Sequence, residues 1–151
     1  MFKNLTKKQK GLIIIVAIAA VLGIITYFMN SYNPGGARTV ESFYADNTEE
    51  RSQLMNEIKG YSTDIINADA ELSENTLIMN YTYVSQLSDK EVAEKSESFE
   101  AGVKDLQEAA RKLIKKLSSR SHINRNRITI TLNYLNKDGS LIWTHDFGYD
   151  Y

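Results

Sequence analysis

Hydrophobic and polar positions change rhythm several times along this chain. Residues 11–29, GLIIIVAIAAVLGIITYFM, form an apolar run with no charged side chain, in which Thr26 and Tyr27 are the only polar ones. As a helix rising about 1.5 Å per residue the run spans roughly 28 Å, close to the hydrocarbon thickness of a bilayer. A lone segment in lipid satisfies its own backbone only as a helix. The run bounded by Gly11 and Met29 therefore predicts a transmembrane helix that contacts the lipid bilayer. It is longer than the apolar core of a cleaved signal peptide, about 7–15 residues. Gly35 and Ala37 make a poor cleavage site behind Pro34, so retention of the segment is expected. Residues 30–37, NSYNPGGA, read as a linker, because Pro34 breaks a helix and Gly35-Gly36 loosens the chain.

Beyond residue 38 the periods are those of a small folded domain. Thr39 is placed as an N-cap, and Val40, Phe43, Tyr44, Leu54, Met55 and Ile58 fit one helical face up to Lys59. Asp46-Asn47-Thr48 offers a point at which that helix divides in two, and Gly60 a stop. Residues 63–71 read as a strand, 73–75 as a turn, and 76–84 as a second strand with Leu77, Met79, Tyr81 and Tyr83 on one face. Ser88-Asp89-Lys90-Glu91 is a capping box, with Leu87 and Val92 placed as a hydrophobic staple. Val92, Ser96, Phe99, Val103, Leu106, Ala110, Leu113 and Leu117 then recur at spacings of four and three, the seam of a long helix. Packing on the domain's own sheet is the reading taken; a coiled-coil partner is the alternative. Residues 128–135 alternate again, with Ile128, Ile130, Leu132 and Tyr134 sharing a face. Asn136-Lys137-Asp138-Gly139 supplies a hairpin turn, and residues 141–147 return with Leu141, Trp143, His145 and Phe147 on one face. Residues 148–151 read as an exposed tail.

These elements predict an α+β fold: an N-terminal transmembrane helix, then helix, strand, strand, helix, strand, strand. The simplest packing is a four-stranded, mainly antiparallel sheet with the long helix across one face. The expected organisation is a cytoplasmic stub at residues 1–10, the membrane helix at 11–29, the linker at 30–37 and an extracytoplasmic domain at 38–151.

Charge adds orientation. Lys3, Lys7, Lys8 and Lys10 precede the apolar run with no acid among them, whereas all 19 Asp and Glu lie from Glu41 onward. Basic residues stay on the cytoplasmic side during insertion, so the N-terminus is expected inside and the domain outside. An acidic domain also argues against nucleic acid as a partner. Residues 118–126 form a basic connection, and Arg120, His122, Arg125 and Arg127 suit phosphates or an anionic wall polymer. A solvated loop is the reading taken for them; an anion site is the alternative.

Candidate chemistry changes the picture little. The chain has no cysteine, which removes disulfides, thiolate catalysis and a lipid-modified anchor. It has no Gly-rich phosphate loop, HExxH or Gly-x-Ser-x-Gly motif. His122 and His145 are the only histidines, and His145 and Asp146, as neighbours in a strand, face opposite sides. No catalytic, cofactor-binding or metal-binding residue is assigned, no cofactor is expected, and the chain is read as a non-enzyme.

Three stretches carry a family likeness: Thr39-Val40-Glu41-Ser42-Phe43; Glu74-Asn75-Thr76-Leu77-Ile78 leading to Tyr81-Thr82-Tyr83; and Leu132-Asn133-Tyr134-Leu135-Asn136-Lys137-Asp138-Gly139. Across residues 39–147 the chain resembles a domain family of unknown function found in extracytoplasmic, membrane-anchored proteins and lipoproteins of Gram-positive bacteria. The resemblance implies location and fold and supplies no catalytic residue. Many members are anchored through a cysteine; here the 11–29 helix stands in its place. The function expected is an interaction module of the cell envelope meeting another envelope protein or a wall polymer. The alternative is a small-ligand sensor or carrier with Tyr81, Tyr83, Tyr134 and Trp143 lining a pocket.

Overall fold

A computed structural model describes residues 39–150, without the side chain of Arg120. The stub, the apolar run bounded by Gly11 and Met29, and the linker lie outside the described residues. Among the described residues no helix is long and apolar enough to cross a membrane.

Thr39 begins the first element, α1 (Val40–Asp46). Its hydroxyl accepts from the Ser42 N–H while the Ser42 hydroxyl accepts from the Thr39 N–H, both at 3.0 Å. The chain breaks at Asn47, whose side-chain amide donates to the Phe43 carbonyl at 2.7 Å, and resumes as α2 (Thr48–Lys59). The division anticipated at residues 46–48 is thus present. Gly60 ends α2 in an ordinary right-handed conformation, its N–H donating to the Asn56 carbonyl. Strand β1 (Ile66–Ser73) starts three residues later than the sequence pattern suggests, because residues 61–65 are spent on turns. A turn at Glu74 and Asn75 leads to β2 (Thr76–Tyr83).

Helix α3 (Asp89–Ser121) follows, with the Glu91 carboxylate accepting from both the N–H and the hydroxyl of Ser88. Of the anticipated seam, Phe99, Leu106, Ala110, Leu113 and Leu117 are buried and Val92, Ser96 and Val103 half-buried, while Lys95, Ala109 and Ile114 are buried beside it. His122 closes the helix at φ 57 in the left-handed region. A short 3-10 turn (Arg125–Arg127) precedes β3 (Thr129–Leu135), and a turn through Gly139, at φ 84, leads to β4 (Leu141–Phe147).

The sheet order is β1-β2-β3-β4. The outer pairs are antiparallel, but β2 and β3 are parallel, so the sheet is mixed. Helix α3 is the reason. It leaves β2 at its Tyr83 end and carries the chain back past the sheet, so that β3 restarts beside the beginning of β2, with Thr76 opposite Thr129. A second departure lies in β4. Tyr134 faces Trp143 but Leu135 faces Leu141, leaving Ile142 as an extra residue in a bulge. The expected alternation breaks there, and Leu141 is left 57 % exposed while Ile142 and Trp143 are buried.

One hydrophobic core fills the space between the inner sheet face and the three helices. The other sheet face carries no element among those described.

Candidate functional site

Strand alternation sends Leu77, Met79, Tyr81 and Tyr83 of β2 and Ile130, Leu132 and Tyr134 of β3 to the inner face. The aromatic residues expected as a pocket lining are there, but packed. Tyr81 stacks on Tyr134 at 5.1 Å between ring centroids, and Phe99 of α3 covers Tyr134 at 3.9 Å. Trp143 lies beside Phe99 and donates its indole N–H to the Glu100 carboxylate at 3.0 Å. Tyr81, Tyr83, Tyr134 and Trp143 are all buried. A stripe of this kind and a filled aromatic core have the same sequence pattern; Phe99 of α3 decides between them by lying over the Tyr134 ring.

At the Tyr83 end of β2 the packing leaves polar atoms inside. The hydroxyls of Tyr81 and Tyr83 and one carboxylate oxygen of Glu57 are buried without a hydrogen-bond partner among the described residues. Tyr61, just past the end of α2, donates to the other Glu57 oxygen at a long 3.4 Å. Burial pushes the Tyr81 and Tyr83 phenols up, with a further contribution to Tyr81 from Tyr61. Burial, together with the Glu57 charge, pushes Tyr61 up to about 12. Burial also raises the Glu57 carboxyl, opposed by the bond from Tyr61. Lys95 is buried too, its Nζ 6.0 Å from the Tyr83 ring centroid. The region thus combines buried phenols with a carboxyl, Glu57, whose pKa is raised by burial. The sequence signal for it is the Glu57–Tyr61 spacing of four, which continues the α2 period beyond Gly60.

The uncovered face is built from the other half of each strand's alternation. Asn133 donates its side-chain amide to Asn80 at 2.9 Å and accepts from the Thr144 hydroxyl at 2.7 Å. Thr131 donates to Asp146 at 2.6 Å. Cross-strand hydrogen bonds thus tie three strands together with amides and hydroxyls open to solvent. Asp146 is engaged on this face while His145 stacks on Trp143 on the other, so the two do not form an acid–base pair. Among the described residues no group of His, Asp and Glu is gathered in a way that suits a metal ion.

At the opposite end of the sheet, beside the start of β3, basic side chains gather around Tyr149. The tail expected to be exposed is tied down there. Gln107 donates to the Gly148 carbonyl at 3.1 Å and Arg111 to the Tyr149 carbonyl at 3.2 Å. The Arg125 guanidinium lies 4.1 Å over the Tyr149 ring, with the Lys115 ammonium 5.8 Å from the same ring. Tyr149 is half-buried against the core. Of the basic connection read from the sequence, this structure brings Arg125 into the cluster; His122 instead serves as the helix cap.

Among solved structures, the fold is similar to a candidate secreted protein of Pseudomonas aeruginosa, with 11 % identity, 75 % of this chain and 96 % of that chain covered, and a TM-score of 0.46. Comparison with curated proteins finds no match. The model of a domain of unknown function, DUF4854, matches residues 40–147. That range runs from the first residue of α1 to the last of β4, the whole folded unit described above, and the chain belongs to the DUF4854 family.

Proposed function

We propose that this protein is a single-pass, extracytoplasmic, non-enzymatic interaction module of the bacterial cell envelope, whose uncovered sheet face meets a wall polymer or another envelope protein. Location rests on the sequence: the charge-free run at residues 11–29, the four lysines before it, and a resemblance to extracytoplasmic proteins of Gram-positive bacteria. The observation that carries the interaction reading is the sheet itself. Its inner face is closed by stacked rings, and its outer face presents Asn80, Asn133, Thr131 and Thr144 as a held array of amides and hydroxyls. Groups already fixed by cross-strand bonds meet a hydroxyl-rich polymer or a polar protein surface at little ordering cost.

Arginine at Asn80 or Thr144 tests this directly. The substitutions Asn80→Arg and Thr144→Arg remove at most a partly exposed hydrogen bond, so stability falls by about 1 kcal/mol or less. Co-sedimentation of the full chain with cell-wall material, or its cross-link to an envelope protein, is expected to disappear. Undiminished retention of both variants contradicts this use of the face.

A second reading, a small-ligand sensor or carrier, draws on the buried, unpartnered hydroxyls of Tyr81 and Tyr83. Under it, a ligand raises the melting temperature of the native chain and Tyr81→Phe abolishes that rise.

A further inference from the structure

We propose that the basic end of the domain binds the anionic phosphate headgroups of the membrane, seating the domain against the bilayer at the end where β2 and β3 begin. The inference rests on the membrane-anchored reading above.

Three observations converge. The first is charge segregation: every charged residue from Arg111 to Arg127 is basic, in a domain that is acidic as a whole. The helix dipole accounts for cations in the last turn of α3 alone. Arg111 lies well before that turn, and Arg125 and Arg127 lie beyond the helix.

The second is convergence. Arg111 and Lys115, one helical turn apart, and Arg125 from the 3-10 turn gather at Tyr149. Like charges at that spacing repel unless an anion joins them. Tyr149 offers a ring of the kind enriched at membrane interfaces, where its apolar body and polar tip are both satisfied.

The third is position. The Val40 N–H donates to the Asn75 side chain at 3.1 Å, and the Thr129 N–H donates to the Asn75 carbonyl at 3.1 Å. The point where the domain takes up the chain from the linker is therefore at the same end of the sheet as residues 111–127 and Tyr149. Residues 30–37, even fully extended, reach at most about 28 Å. The short tether holds this end of the domain within reach of the bilayer, and the charge on it is the sign that anionic headgroups attract. Glu41 and Glu74 occupy the β1–β2 corner of the same end, with the Glu41 carboxylate turned onto the Glu74 N–H at 2.8 Å.

The absence of cysteine gives a clean test. The full chain is labelled at Asn124→Cys, beside the basic cluster, or at Ser85→Cys, at the far end of strands roughly 25 Å long. Each is reconstituted into vesicles of phosphatidylcholine alone or with phosphatidylglycerol, carrying headgroup acceptor dyes. Energy transfer from the Asn124 site is expected to rise with phosphatidylglycerol, to fall in high salt, and to exceed transfer from Ser85. The triple variant Arg111→Gln, Lys115→Gln, Arg125→Gln is expected to weaken the seated state by about tenfold or more. Equal transfer in both lipids while the chain floats with the vesicles overturns the proposal. So does tight binding of soluble polyphosphate with no response to phosphatidylglycerol, which reassigns the cluster to a free anionic polymer. Failure of the chain to float with either vesicle overturns the anchoring reading instead.

Discussion

At the scale of single residues, the most informative groups are those buried with a polar atom and no partner. The hydroxyls of Tyr81 and Tyr83 contribute ring packing to the core but no hydrogen bond. Replacing them removes a desolvated group at no cost in bonding. Tyr81→Phe is therefore expected to leave the unfolding free energy within about 0.5 kcal/mol of the parent or to raise it. A loss of more than roughly 2 kcal/mol in chemical denaturation would mean that the hydroxyl is satisfied by something bound. The same burial fixes behaviour in alkali. A phenol whose folded pKa is raised contributes stability that is complete below its ordinary value of 10.0 and is lost as pH climbs toward the folded value. Stability is thus expected to fall above pH 10.0, with Tyr61 titrating up toward about 12 and the buried Tyr81, Tyr83 and Tyr134 ionising only as the domain opens. Phenolate absorbance followed beside circular dichroism checks this. Full ionisation with the fold intact contradicts the burial of these rings.

At the scale of elements, α3 does most to organise the molecule. Its inner side covers β3 and β4, its length sets the parallel pairing of β2 with β3, and the residue just before its cap is fixed by a side-chain clamp. Asn136, 3 % exposed in the hairpin turn, accepts from the Leu87 N–H at 2.8 Å and donates to the Leu87 carbonyl at 3.1 Å. Leu106→Ala, on the seam, removes a side chain 2 % exposed and is expected to cost about 2–5 kcal/mol, independent of protein concentration. A melting temperature that does not change, or one that tracks concentration, returns the seam to a partner helix. Most of this was readable from periodicity. The seam, the Ser88 cap, the split near Asn47 and the inward Tyr stripe all follow from local pattern, because spacing alone determines which side chains share a face. The parallel pairing did not follow, since alternation within a strand says nothing about its neighbour's direction. The bulge at Ile142 escaped too: an extra residue shifts the phase of alternation without altering composition. Tyr149 joined its cluster through tertiary packing, which places residues far apart in sequence side by side.

At the scale of the whole molecule, the domain has two unlike surfaces and a polarity from end to end. One sheet face is sealed by helices and rings; the other offers a fixed array of amides and hydroxyls. One end holds the buried phenols, while the other holds Arg111, Lys115 and Arg125 together with the entry point of the chain from its linker. This layout fits the proposed role, a body held close to a membrane with its polar face turned to a neighbour. The proposed envelope role depends on the domain lying on the outer side of a membrane. The direct measurement is protease treatment of intact protoplasts carrying the full chain with a C-terminal epitope. The account predicts loss of the epitope and digestion of the domain up to the membrane, with a short lysine-rich fragment left in the membrane fraction. A fully protected epitope, released only after the protoplasts are lysed, would place the domain inside and contradict the account.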